Sequence, residues 1–380
     1  MGQNLIFTND VQEALERLTN DGNHNMTVWI ADTNTARLLP APPQHLITIP
    51  DGDENKTLAT VTRVWDEMER MGVTRHSLIV NLGGGMVTDL GGFAAATFKR
   101  GVRFINVPTT LLGAVDAAVG GKTGINYHEL KNEIGAFAPA SDVIVSTRFF
   151  DTLPIEEMKS GFAEVIKHAM LSDRDEFHRL LDHDFTAPID HDDLLERLRR
   201  SVQVKVDIVA RDPNEQGERK ALNLGHTVGH AFESLAMKRG KPVPHGYAVA
   251  WGLVTEAVLS HLKLNFPSED VHLLGNFVRD NYRGFPFTCD DYDDLLELMR
   301  HDKKSRDSEI TCTLLTAIGD YRIDQNVTPD DVTASFFILR DHLGLQTSPK
   351  TPEYLPFVNF SRLFIKFTCH FEKFALPLSP

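Results

Sequence analysis

Up to about residue 150 short β-branched runs alternate with helical patterns, and beyond it long amphipathic segments take over; this switch limits the possible folds more sharply than any other feature. Alternation of that kind marks βαβ units, which bury a mainly parallel sheet between helices. Strands are expected at Thr27–Ala31, His45–Ile49, Ser77–Leu82, Arg103–Val107 and Asp142–Ser146. Leu58–Met71 places Leu58, Val61, Val64, Trp65 and Met68 on one helical stripe. After the turn Asp151–Pro154, helices are expected over Ile155–Leu171, Asp193–Val209, Lys220–Lys238 and Tyr247–Leu262. The expectation is an α/β domain over residues 1–150 and a mainly α-helical one over 151–345, as suits a chain of 380 residues.

The stretch 346–380 has a different character, with phenylalanines at 357, 360, 364, 367, 371 and 374 spaced by three or four. Such spacing fits an amphipathic helix docking on a partner, a membrane surface or the protein itself; an extension packed on the body or poorly ordered fits as well.

Charge and cysteines narrow the function classes. A net charge of −14 disfavours nucleic acid or an anionic membrane as the main partner, because both require basic patches. An anionic substrate would need a local exception to that field. Cys289, Cys312 and Cys369 are scattered and odd in number, which leaves no disulfide framework or metal knuckle and favours a reducing compartment. MGQNLIFTNDVQEAL lacks the basic and apolar regions of a signal peptide, Ile6 stands where a myristoylation motif wants Ser or Thr, and no apolar run is long enough to span a bilayer. A cytoplasmic location is expected.

Three themes carry chemistry. In Ser77–Gly92, SLIVNLGGGMVTDLGG, a buried strand runs into three glycines and then an apolar segment. Glycines there let backbone amides approach a pyrophosphate beside a helix N-terminus, so dinucleotide binding is a natural hypothesis. The pattern is not GxGxxG, and alone it fits a tight turn equally well. Asp116–Thr123, DAAVGGKT, nearly spells a phosphate loop, but a carboxylate at the first position would repel a triphosphate. Lys122, and Lys131 with Asn132 in LKNEIGAF, could still meet another anion. In ALNLGHTVGHAFE, His226 and His230 share a helical face, Glu164 interrupts the apolar helix SGFAEVIK, and His245 opens a further helix in PHGYAVAWG. One Glu and two His could form a metal site with an open position, although a lone helical His is more often a hydrogen-bonded core residue. Thr227 stands where HExxH has its Glu, so a zinc protease is disfavoured.

Together GGGMVTDLGGFAAATFKRGVRFINVPTTLLGAVDAAVGGKTGIN, LKNEIGAF, SGFAEVIK, ERKALNLGHTVGHAFE and HGYAVAWG resemble the 3-dehydroquinate synthases, among the sugar phosphate cyclases, over roughly residues 25–345. The resemblance implies a Rossmann-like NAD-binding domain followed by a mainly helical metal- and substrate-binding domain, in a homodimer. It implies cyclisation of 3-deoxy-D-arabino-heptulosonate 7-phosphate to 3-dehydroquinate and phosphate, the second step of the shikimate pathway, with NAD and Zn or Co as cofactors. The steps implied are transient oxidation at C5, β-elimination of phosphate, re-reduction, ring opening and intramolecular aldol closure. Glu164, His226 and His245 match metal ligands, and His230 a proton-transfer or positioning group. NAD-contacting positions match Asp32, Asn34, Asp51, Asp53, Lys56, Gly85, Met86, Val87, Thr88, Asp89, Thr109, Thr110, Phe149 and Thr152, with Lys122 and Lys131 at the junction with substrate. Asp116, Asn132, Lys167, Lys205, Arg219 and Asn223 match substrate contacts, with Lys303 or Lys304 from the far end. Departures are Asp53 and Tyr247 where Glu is frequent, and Glu133 at a commonly apolar place; none removes a ligand or a cation. The other readings weighed are a cyclase of neutral sugar phosphates, a metal- and NAD-dependent polyol dehydrogenase, and an inactive scaffold.

Overall fold

In chain order the strands are β1 (Asn4–Phe7), β2 (Thr27–Asp32), β3 (Leu46–Ile49), β4 (Leu78–Gly83), β5 (Arg103–Pro108), β6 (Lys122–Tyr127), β7 (Leu130–Phe137), β8 (Asp142–Val145), β9 (Ile310–Ala317) and β10 (Asp320–Val327). The helices are α1 (Val11–Thr19), α2 (Leu58–Arg70), α3 (Gly85–Thr97), α4 (Ile155–Met170), α5 (Arg174–Leu181), α6 (His191–Arg211), α7 (His226–Lys238), α8 (His245–Leu264), α9 (Ser268–Asn281), α10 (Tyr292–Arg300) and α11 (Pro329–His342). This computed structural model describes residues 3–39, 43–128, 130–300 and 309–345. The Phe-rich stretch and the Lys303/Lys304 pair lie outside them.

Six strands form one parallel sheet in the order β1-β8-β5-β4-β2-β3. Every residue of β4 is buried, as a strand covered on both faces must be. All five expected strands are present, and β1 adds an edge that its mixed sequence did not announce. On α2 the stripe Val61, Val64 and Met68 is buried as expected, whereas Leu58, in the first turn, remains exposed. The segment from Lys122 to Phe137 is an antiparallel hairpin, β6–β7, outside the main sheet.

Among the described residues from Ile155 onward helices dominate, with one antiparallel hairpin, β9–β10, set among them. The helix expected over Lys220–Lys238 is interrupted: Glu218–Asn223 is a short tight turn and α7 starts at His226. Gly225 causes the break, for its φ of 78° is left-handed and a Cβ there would lie 2.7 Å from the Leu253 side chain. The buried Glu256 on α8 accepts a hydrogen bond from Gly225 N at 2.7 Å and a longer one from Val228 N, which places a carboxylate at the positive end of α7. Substituting Gly225 by Ala should lower stability by about 2–3 kcal/mol, from left-handed backbone strain plus overpacking. A urea midpoint within error of wild type would contradict this account.

Candidate active site

The strands of the main sheet are parallel, so their carboxyl ends lie along one edge, where α/β sheets bind ligands. Asp32 ends β2, Asp51 and Asp53 follow β3, Gly84 and Gly85 follow β4, Thr109 and Thr110 follow β5, and Phe149 and Thr152 lie in the tight turn after β8. Asp32 accepts hydrogen bonds from Asn34 N and Thr35 N at 2.8 and 2.7 Å, and Asp51 from Thr33 Oγ1 and Asn34 Nδ2 at 2.5 and 3.0 Å. Gly85 opens α3, which carries Met86, the buried Val87 and Thr88. Asp89 in the same helix pairs with Lys56 at 2.5 Å, and burial raises its carboxyl against the pull of that lysine. Phe149 packs partly buried against the sheet core.

The β6–β7 hairpin lies over this edge. Asn126 N donates to Lys56 O at 2.8 Å, Asn132 Oδ1 accepts from Lys56 Nζ, and Lys131 Nζ is 3.3 Å from Asp53 Oδ2. On its other side Lys131 Nζ lies 2.6 Å from Glu233 Oε1 of α7, so the hairpin joins the sheet edge to the helical part.

There three helices converge. Glu164 in α4 is completely buried, His226 is the first residue of α7 and His245 the first of α8. Gly246 lets α8 start against α4: its N–H donates to Ser160 Oγ at 3.0 Å, and a Cβ would overlap the Ser160 carbonyl. Glu164 Oε1 lies 3.3 Å from His226 Nε2 and 3.6 Å from His245 Nε2, and one donor atom from each residue falls within 4.8 Å of the others. The far nitrogens are engaged, His226 Nδ1 with Leu224 O at 3.1 Å and His245 Nδ1 with Glu233 Oε2 at 3.4 Å, which fixes both rings with Nε2 toward Glu164. Neither Glu164 oxygen has a hydrogen bond of good geometry, although Lys167 Nζ also contacts Oε2.

Two imidazoles and an orphaned carboxylate in this arrangement fit a first-row divalent metal with an open coordination position. Burial, helped by Lys167, lowers His226 to about 4 and keeps it neutral. Against the same burial, the neighbouring carboxylates of Glu164 and Glu233 raise His245 to about 10, and Lys167 and His226 hold Glu164 well below its ordinary value despite desolvation. Asp116, Glu164 and His168 also approach within metal-ligating range, but Asp116 is already paired with Lys205 at 2.6 Å.

Beside Glu164, His226 and His245 lies a group of buried cations. Lys167, Lys205 and Arg219 are at most 6 % exposed. Arg219 donates to Pro213 O and Gly120 O, while its Nε has no partner. Asn223 Nδ2 donates to Glu215 Oε1 at 3.2 Å, and Lys122 contacts the other oxygen of Glu215. His230 stands with its ring 5.4 Å from that of His226 and 6.0 Å from that of His245. Asp32, Asn34 and Asp51 form a separate hydrogen-bonded group at the far strands of the edge.

Sequence reading missed Glu233 and Glu215. The first was detectable, since 226, 230 and 233 fall on one helical face; the second sits in the polar loop PNEQGE, which offers no periodic signal.

Residues 46–160 match the family described as 3-dehydroquinate synthase N-terminal, and residues 161–305 the one described as 3-dehydroquinate synthase C-terminal. A 3-dehydroquinate synthase of Parabacteroides distasonis is 42 % identical over 351 residues, 90 % of this chain and 99 % of that protein. The chain belongs to the 3-dehydroquinate synthase family. Another 3-dehydroquinate synthase, from Pyrococcus abyssi, is 42 % identical over 288 residues, covering 75 % of this chain and 82 % of the relative. Among solved structures, 2-epi-5-epi-valiolone synthase ValA from Streptomyces hygroscopicus subsp. jinggangensis 5008, with NAD+ and Zn2+ bound, superposes with a TM-score of 0.79 at 26 % identity, over 90 % of this chain and 97 % of that one. A 2-deoxy-scyllo-inosose synthase complexed with carbaglucose-6-phosphate, NAD+ and Co2+ shares the fold at a TM-score of 0.75 and 23 % identity, over 89 % and 96 % of the two chains.

The titration directions set a test for this 3-dehydroquinate synthase family member. Without metal His245 keeps a proton up to about pH 10, which a metal must displace, whereas His226, at about 4, is already deprotonated. Zinc affinity should therefore rise with pH, about tenfold per unit between about pH 5 and 9. A flat or falling affinity in chelator competition would sink the assignment of His245.

Proposed function

We propose that this chain is a 3-dehydroquinate synthase that converts 3-deoxy-D-arabino-heptulosonate 7-phosphate to 3-dehydroquinate and phosphate, in aromatic amino acid biosynthesis. What carries the reading is the family match together with one juxtaposition: the Glu164–His226–His245 group borders on Asp116, Lys167 and Lys205. When bound, NAD and a divalent metal supply reversible oxidation of the C5 alcohol and polarisation of its hydroxyl.

Glu164, His226 and His245 would hold the metal. The carboxyl edge of the sheet, from Asp32 to Thr152, would bind NAD, with the Gly84–Gly85 turn at the amino end of α3 facing its pyrophosphate. Lys122, Lys205, Arg219, Asn132 and Asn223 orient the phosphate and carboxylate of the substrate, which need several fixed donors. Lys167 neutralises charge beside Glu164, and His230 moves or holds a proton at the reacting centre. The substrate's own phosphate can take the proton for its elimination, so no further base is required of the chain. In this reading residues 1–150 form the cofactor domain and 151–345 the metal and substrate domain of a cytoplasmic homodimer.

With heptulosonate 7-phosphate, NAD and zinc, phosphate should be released without net NADH, and dehydroquinate dehydratase should consume the product. Glu164→Ala should lower kcat by about a thousandfold or more while the far-UV circular dichroism stays native. Phosphate release from sedoheptulose 7-phosphate alone would indicate a neutral-sugar cyclase, and accumulating NADH a polyol dehydrogenase.

A further inference from the structure

His226 and His245 present the same nitrogen to Glu164, but their far nitrogens are held differently. A backbone carbonyl, Leu224 O, orients His226. For His245 the orienting acceptor is a side chain, Glu233, which is only 4 % exposed and is not one of the three proposed ligands. A carboxylate buried to that degree is expensive to desolvate and persists only where both oxygens are engaged. One oxygen faces His245 Nδ1 at 3.4 Å and the other faces Lys131 Nζ at 2.6 Å, and the same ammonium lies 3.3 Å from Asp53. These contacts run unbroken from the loop after β3, through the hairpin and α7, to a proposed metal ligand at the start of α8.

We infer that Glu233 is a positioning residue: it holds the His245 ring with Nε2 turned toward the metal, and Lys131 fixes Glu233 in turn, so that the cofactor edge and the metal centre share one hydrogen-bonded brace. The inference rests on the metal assignment of the proposed function. Carboxylates that accept the far N–H of a ligating imidazole orient the ring and strengthen it as a donor; their loss typically weakens metal binding 10- to 100-fold. Lys131 lies on a separate strand and is more exposed, so its removal should act in the same direction but less strongly.

The test is zinc affinity by chelator competition on the full chain without substrate, with the visible spectrum of the cobalt form as second readout. Glu233→Gln should weaken zinc about 10- to 100-fold and alter the cobalt bands, Glu233→Asp should recover part of the affinity, and Lys131→Met should weaken zinc by a smaller factor. Should the Gln variant fail to fold, Lys131→Met decides the question. Wild-type zinc affinity and cobalt bands in folded Glu233→Gln, or in Lys131→Met where that variant decides, would overturn the inference. Glu164→Ala separates the two readings: if it too leaves zinc affinity unchanged, the metal assignment itself fails, whereas if it abolishes binding, only the brace does.

Discussion

A carboxylate with no exposure to water stays ionised only if charges or donors surround it, and Glu164 is such a group at the meeting point of three helices. Its neighbours determine much of the packing around it. Lys167 comes from the next turn of α4, while His226 and His245 can reach Glu164 only if α7 and α8 both begin at this point. The chain meets that demand with backbone devices: a left-handed glycine that starts α7 at His226, and Gly246, whose missing side chain lets α8 press on α4. A divalent metal held by Glu164, His226 and His245 would add positive charge beside this buried carboxylate.

The second constraint is the direction of the sheet. With the main strands parallel, every connection leaving a carboxyl end arrives at the same edge, which gathers polar residues from the whole range Asp32–Thr152. Those residues lie far apart in sequence and become one surface only through strand order. The β6–β7 hairpin then lies over the edge, with Lys131 directed to α7 and Asn132 to Lys56. Asn132 has φ of 52°, a left-handed conformation that Asn tolerates better than most residues.

These two constraints explain what the sequence disclosed. Buried parallel strands were legible because each is a short run rich in β-branched and other apolar residues, and the group Glu164, His226 and His245 because its members interrupt apolar helices or open them. Strand β1 stayed hidden since four residues of mixed polarity carry no period, and the β6–β7 hairpin since its glycines and lysines resemble a phosphate-binding loop. The break at Gly225 depends on Leu253 and Glu256, both on α8, and no local pattern reports a neighbour some thirty residues away. For the same reason the partners of the site cations, such as Glu215 for Lys122, were not foreseeable.

Those partners bear on how an acidic protein binds an anion. At a net charge of −14 the overall field repels a doubly charged substrate, and salt screens that repulsion beyond about 8 Å. Attraction must therefore be local. Lys205 is paired with Asp116, Lys122 with Glu215 and Lys167 with Glu164, so each cation is neutralised within the protein before any ligand arrives. In the proposed reading an incoming phosphate or carboxylate shares or replaces a partner the lysine already has, instead of ordering a free side chain. The lysines are thus held in place in advance, and a molecule lacking one of the two anionic groups forfeits a short-range contact that the global field cannot restore.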